Sequence, residues 1–371
     1  MTKSAKPAGQ NLHVLIVGAS GLVGSAASNS FLDAGWRVTT ASRRHPEWVA
    51  GTDFSHVTLD LMDSDACQRI ALKGDITHIV YTSVFELPGL VQGWSDPQQI
   101  STNDQMLRNL LAPVLEHNKV QHLTLLQGTK AYGASVQPMR VPARESQSRV
   151  DHPNFYWRQE DYLRQSAAEF GFGFTILRPQ LIVGPNYGVV MNLPPVIGAY
   201  AAIRHQEGLP FSFPGGADWV WEAVDARLVG NACVWAASAP NALGETFNLT
   251  NGEVFTWRDM WPQIAKSLNV ATGPDSPLVL SEYLTERAAI WDDVVAQYDL
   301  QQKSLAEILG ESHHYANLCL NCGNPEPPPA TFVSTVKVKQ AGFTETMNSE
   351  ESFCYWLGAL QDAKILPVYE T

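Results

Sequence analysis

The sequence predicts an α/β fold, a doubly wound parallel sheet followed by a smaller, mixed C-terminal lobe. Three observations predict it. A short apolar run near the start of the chain, Val14–Val17, passes through three glycines into a small-residue helical segment. Apolar strand-like runs then alternate with helix-period segments as far as Pro185, the pattern of a parallel sheet with crossover helices. Beyond that point the alternation weakens, and residues 186–223 and 270–340 hold most of the prolines and aromatics.

The elements follow in order. Val14–Val17 is rich in β-branched residues, as a strand buried on both faces should be. Gly18, Gly21 and Gly24 then punctuate the turn in a G-x-x-G-x-x-G spacing, with Ser20, Leu22 and Val23 between them. Gly18 suits a tight turn, Gly21 a close approach of backbone to a pyrophosphate, and Gly24 close packing of helix on strand. The free N–H groups and positive dipole end of the new helix would face phosphates, so the turn predicts a dinucleotide-binding Rossmann half. Arg37–Ser42 is the second strand, ending in Ser42-Arg43-Arg44. A carboxylate at this position would hold a ribose 2′-hydroxyl. Two arginines suit a 2′-phosphate instead, so the cofactor expected is NADPH/NADP rather than NADH.

Val57–Leu59 reads as a third strand, with Asp60 and Leu61 flanking the adenine. Residues 64–73 form a helix, and Ile76–Ser83 a fourth strand that brings Tyr81 and Thr82 to the cofactor edge. Gln99–His117 carries a helix-period apolar face, and Val120–Gln127 is the fifth strand. Ligands of such sheets bind at the carboxyl ends of the strands. That places Gln127, Gly128, Thr129 and Lys130 above the expected nicotinamide. A helix runs from Asn154 to about Phe170 and leads to a sixth strand at Phe174–Leu177. Arg178-Pro179 and Ile182-x-Gly184 follow, with Pro179 and Ile182 at the cofactor. Farther on come a short strand and helix at 224–237, a strand at Glu245–Leu249, and a helix through Leu268 capped by Thr256 with Asp259 in its first turn. The organisation expected is a flexible tail at 1–11, a dinucleotide-binding domain at 12–185, and a substrate-binding lobe at 186–371, of which 224–268 partly rejoins the first core.

Composition narrows the function. The formal charge of −12 argues against a nucleic-acid or anionic-membrane partner. No apolar run of 18 residues exists to span a membrane. Five cysteines make an odd count suited to a reducing cytoplasm, and Cys319-x-x-Cys322 reads as two free thiols with no second pair to hold a metal.

Assembled, these residues resemble the extended short-chain dehydrogenases/reductases and, more narrowly, the progesterone 5β-reductase / iridoid synthase family of NADPH-dependent enone reductases. The resemblance spans nearly the whole chain. It rests on the glycine turn, Ser42-Arg43-Arg44, Asn103-x-x-Met106-Leu107-Arg108-Asn109, and Gly128-Thr129-Lys130-x-Tyr132. Asn154-Phe155-Tyr156-x-x-x-Glu160-Asp161, Arg178-Pro179-x-x-Ile182-x-Gly184, Pro214-Gly215 and Phe247-Asn248-x-Thr250-Asn251-Gly252 continue it. Most short-chain enzymes carry Tyr-x-x-x-Lys on one helix, whereas Tyr156 is followed four residues later by Glu160. The family supplies its lysine from the loop after the fifth strand, where this chain has Lys130. The resemblance implies that Tyr156 and Lys130 are catalytic and that the substrate is a small apolar enone or other carbonyl compound. Trp157 stands where the family often has a second tyrosine, and Ser83-Val84-Phe85 replaces its Thr-Trp-Ala type sequence. The same constellation serves a carbonyl reductase. A nucleotide-sugar epimerase/dehydratase conflicts with Arg43, Arg44 and Glu160, and a non-catalytic NADP sensor would need neither Tyr156 nor Lys130. The substrate, the stereochemistry and the oligomeric state, including a homodimer, are left open.

Overall fold

The computed structural model describes residues 12–72, 74–87 and 92–370; residues 1–11, expected as a tail, lie outside them. Seven parallel strands form the central sheet. They are β1 (His13–Val17), β2 (Arg37–Ser42), β3 (Phe54–Thr58), β4 (His78–Tyr81), β5 (His122–Leu126), β6 (Gly173–Pro179) and, after three two-residue strands, β10 (Glu245–Leu249). The short strands are β7 (Ile182–Val183), β8 (Val220–Trp221) and β9 (Val224–Asp225). Across the sheet the order is β10-β6-β5-β4-β1-β2-β3, so the direction of winding reverses between β1 and β4. That reversal opens the crevice in which doubly wound sheets bind ligands.

Burial on both faces explains why β1 reads as a continuous apolar run. Leu15 and Val17 face one core, which is closed by α2 (Ser64–Ala71), α3 (Pro97–His117) and α4 (Phe155–Phe170). Val14 and Ile16 face the other, where α1 (Leu22–Asp33) lies beside a later helix spanning Ala226–Ala236. The rest of the chain is mostly helical: α5 (Pro194–Gln206), α6 (Ala226–Ala236), α7 (Trp257–Ser267), α8 (Leu280–Thr285), α9 (Ala288–Gln297), α10 (Leu305–Leu309), α11 (Ser312–Cys319), α12 (Val336–Gln340) and α13 (Ser349–Asp362). Tyr200, Trp257, Trp261, Trp291 and Phe353 belong to a third core built on these helices.

The fifth strand is shorter and the sixth longer than expected, and the third and fourth strands depart most from their expected bounds. The third strand begins at Phe54, because Val38 pairs with Phe54 and Ser42 with Thr58, and Leu59 lies past its end. Ser55 and Thr58 are exposed, and this edge strand lacked the apolar run that marks its neighbours. The fourth strand is shorter than Ile76–Ser83, since its register with β1 runs only from Val14↔His78 to Val17↔Tyr81 before the chain turns at Gly18. The Thr256 cap is present as expected, its hydroxyl accepting from the Asp259 N–H.

Candidate functional site

At the crevice, Gly18 adopts φ +87° and a Cβ there would come within 2.6 Å of Thr82 Oγ1. A Cβ on Gly24 would meet the Gly18 carbonyl oxygen at 2.2 Å, so a side chain cannot be placed without moving the turn. Gly21 is the N-cap of α1, and no side chain caps that helix, nor is any acidic residue in its first turn. Its leading N–H groups, at Leu22 and Val23, are therefore available to an anion. The turn is held from two sides. Thr82 donates to the Val17 carbonyl at 2.8 Å, and Asn186, from the far side of the crevice, donates to Ser20 O at 3.1 Å. This cradle fits the pyrophosphate of a dinucleotide.

The other expected cofactor residues sit along the same edge, with differing side-chain roles. Ser42 is buried and its hydroxyl donates to the Arg44 carbonyl, curling the loop after β2, while Arg43 and Arg44 are exposed and without carboxylate partners among the described residues. Asp60 is exposed and accepts from the Met62 N–H. Leu61 and Tyr81 point into the core beneath the sheet, so only their backbone is left for a ligand. Gln127 is a clamp: its amide donates to Tyr156 O at 3.2 Å and accepts from Arg178 Nε at 3.0 Å. Gly128 lies between the Tyr156 hydroxyl and the Pro179 carbonyl, since a Cβ on it would come within 3.6 Å of the one and 3.7 Å of the other. Thr129 opens the 3-10 turn Thr129–Tyr132 after β5, and Ile182 packs against the core on the α1 side.

Lys130 and Tyr156 reach one place from different elements. A single residue, Asn154, locks them together: its side-chain Oδ1 caps α4 by accepting from the Tyr156 N–H (3.0 Å), and its Nδ2 donates to Lys130 O (3.0 Å). The turn carrying Lys130 is fixed at its other end by Tyr132, whose hydroxyl donates to Asn248 Oδ1 at 2.6 Å. Trp94, in the short turn Gln92–Ser95, is the neighbour both share. Lys130 Nζ lies 3.9 Å from the centroid of its ring, and the Tyr156 ring stands edge-on at 5.2 Å. Beside them is Glu86, whose side chain is only 2% exposed. It accepts from Trp94 Nε1 at 3.0 Å and lies 3.8 Å from Lys130 Nζ. Met191 Sδ, 3.5 Å from Lys130 Nζ, closes the lobe side. Trp157 turns away and packs under Arg149 and Arg178, which leaves Tyr156 as the tyrosine of this site.

Burial dominates the electrostatics. It pushes Lys130 down to about 8 against the opposing pull of Glu86, and it raises Glu86 despite Lys130. The Tyr156 phenol is raised by burial and by Glu86, with Arg178 opposing, so it is a neutral donor near pH 7. Such a pocket offers a phenolic O–H and an ammonium to one developing negative charge. Trp94, Glu86, Met191 and Asn186 escaped the sequence reading. They lie in irregular loops, where no periodicity marks a residue.

The NAD dependent epimerase/dehydratase family matches residues 14–250. A (S)-8-oxocitronellyl enol synthase of Antirrhinum majus is 31% identical over 95% of this chain and 92% of its own. A 3-oxo-Δ(4,5)-steroid 5β-reductase of Arabidopsis thaliana is 29% identical over the same shares. Among solved structures, the UDP-glucose 4-epimerase of Thermus thermophilus in complex with NAD is similar with a TM-score of 0.66 at 17% identity, over 95% of this chain and 100% of that one. The Thermotoga maritima UDP-glucose 4-epimerase gives 0.65 at 15%, over 95% and 99%. At such identities the epimerases share the fold alone. Together, the family match and the near-full-length relatives establish that the chain belongs to the NAD dependent epimerase/dehydratase family and, within it, to the progesterone 5β-reductase / iridoid synthase group.

Proposed function

We propose that the protein is an NADPH-dependent reductase of small apolar α,β-unsaturated carbonyl compounds, acting on the carbon–carbon double bond. The observation that carries this reading is the convergence of Lys130, from the loop after β5, with Tyr156, from the start of α4, through Asn154 and Trp94. The names of the relatives from Antirrhinum and Arabidopsis support it.

A reduced nicotinamide in the crevice would supply a hydride for the β-carbon, and negative charge would then collect on the carbonyl oxygen. The uncapped start of α1 would hold its pyrophosphate, and Arg43 and Arg44 its 2′-phosphate. Tyr156 donates its phenolic hydrogen bond to the carbonyl oxygen, and the Lys130 ammonium adds positive charge beside it. Both interactions strengthen as the oxygen becomes an enolate, which is what accelerates a reaction rather than merely tightening binding. Trp94 and Phe155 hold the Tyr156 ring edge-on, with centroids 5.2 and 4.7 Å from its own. The enolate then takes a proton from solvent at the α-carbon to give the saturated ketone.

The test is NADPH oxidation at 340 nm with 2-cyclohexen-1-one and progesterone, followed by product identification by mass spectrometry and NMR. A saturated ketone is the expected product. An allylic alcohol would make the same tyrosine the proton donor of a carbonyl reductase. NADPH binding with no turnover of any enone or aldehyde would overturn the reading.

A further inference from the structure

Outside the Tyr156–Lys130 pair, one group near the site is held more firmly than packing requires. Glu86 follows β4 in a loop of no regular structure, yet its backbone is fixed on both sides. Asn103 of α3, fully buried, accepts from the Phe85 N–H at 2.8 Å and donates to the Phe85 carbonyl at 2.7 Å. Gln99 accepts from the Leu87 N–H at 2.7 Å. The carboxyl group is thus delivered beneath Lys130. Oε1 takes the Trp94 indole N–H, and Oε2 is buried with no hydrogen-bond partner among the described residues.

Burying a carboxylate costs several kcal/mol unless a charge compensates it, and the same holds for an ammonium. Among the described residues Lys130 is the only cation paired with Glu86, and Glu86 the only anion paired with Lys130. The titratable groups facing this place from α11 and α4 carry no charge near neutral pH. Tyr315 and Cys319, on α11, are both pushed up by burial, as is Tyr156 on α4. Arg178 on β6 bears on Tyr156 but is already paired with Glu160.

We propose that Glu86 is a positioning residue for the reaction: pinned by Asn103 and anchored on Trp94, it keeps Lys130 protonated and seated beside Tyr156. This rests on the reading of Lys130 as the cation that stabilises the enolate. Trp94 joins the pair from below, because its N–H holds the carboxylate while its face takes the ammonium. Without Glu86 a buried ammonium would lose its counter-charge and shed its proton at a lower pH.

The experiment is a titration of Lys130 in the whole protein without substrate. Lysines are reductively methylated with ¹³C-formaldehyde, and the Lys130 resonance is identified as the one missing in Lys130→Arg. In the unsubstituted protein it is expected to titrate near pH 8. In Glu86→Gln, which keeps an acceptor for Trp94 but removes the charge, the midpoint falls by about one pH unit or more. The alkaline limb of kcat with NADPH and an enone moves down by the same amount, while KM for NADPH is unchanged. Glu86→Asp, which retains the charge, stays nearer the unsubstituted titration and carries the test if the glutamine variant does not fold. A Lys130 resonance with the same midpoint in Glu86→Gln as in the unsubstituted protein overturns the proposal. Because the titration needs no substrate, failure of the enone reading would leave this result standing by itself.

Discussion

Glu160 and Arg178 form a buried ion pair, 3.3 Å between Oε2 and Nη2, with both side chains less than a tenth exposed. Glu160 occupies the position, four residues after Tyr156, where a lysine would stand in most short-chain enzymes. It points not at the cofactor crevice but into a network with Arg178, Arg164 and Arg149. Arg178 in turn holds Gln127, and Gln127 holds the Tyr156 carbonyl. The position has been turned from chemistry to support. Removing one partner of a buried pair strands the other. Glu160→Gln should therefore destabilise the fold by about 3 kcal/mol, read as a lower urea midpoint at unchanged slope. A shift well under 1 kcal/mol would mean that Arg164 and Arg149 set the network without it.

Tyr156→Phe removes the hydroxyl and leaves the ring packed against Trp94 and Phe155. It should lower kcat on enones by about 100- to 1,000-fold with NADPH affinity little changed, as expected for a donor that acts on the transition state. Undiminished turnover of every enone the unsubstituted protein reduces would take the role away from Tyr156.

Arg43 and Arg44 are exposed on the loop after β2, the end of which Ser42 curls by its bond to the Arg44 carbonyl. Replacing both by alanine should weaken NADPH binding by roughly 10- to 100-fold, the worth of one charge-assisted contact of about 1.5–3 kcal/mol. NADH affinity should stay within a factor of two to three, so titration by nicotinamide fluorescence separates the phosphate contact from damage to the loop. Equal losses for both cofactors would sink the assignment.

At the opposite end of the strands, His78 and His122 lie side by side on β4 and β5, ring centroids 6.3 Å apart. Burial holds His78 down to about 4 and His122 to about 3, and a charge on His78 further disfavours a proton on His122. The unfolded chain binds those protons below the ordinary histidine value of about 6.5, whereas the folded one does not. Stability from these groups is complete above pH 6.5 and is lost as the pH falls toward 4, roughly 3 kcal/mol for His78 over that window. Urea unfolding at pH 7.5 and 4.5 should show the loss. In His78→Gln the slope of stability against pH should fall by about one proton.

How much of this was legible depended on periodicity. β1 and the glycine turn were readable because two-faced burial leaves an apolar run and the crowding at Gly24 excludes a side chain. Lys130 stood out only as a lysine absent from its usual helix position. The chain recorded nothing of Trp94, Glu86 or Asn186, whose roles come from hydrogen bonds and ring contacts between loops distant in sequence. Leu61 and Tyr81 show the converse: Tyr81 ends β4 and Leu61 lies in the turn after β3, and both side chains are turned into the core. Phe54, at the start of β3, was hidden because the edge of a sheet need not be apolar.

The seventh strand of the sheet arrives late. β10 pairs with β6 from Glu245↔Thr175 to Leu249↔Pro179, and a Cβ on Gly230 of α6 would strike the Ala26 carbonyl of α1 at 2.7 Å. Expression of a fragment ending near Pro185 would leave β6 as a bare edge, its ladder groups open to pairing with another chain, and uncover the apolar side of α1. Such a fragment is expected to aggregate rather than bind nucleotide. The two ends of the chain therefore make one folding unit, and changes to the surroundings of Lys130 are better made by point replacement, at Trp94 or Met191, than by exchange of fragments.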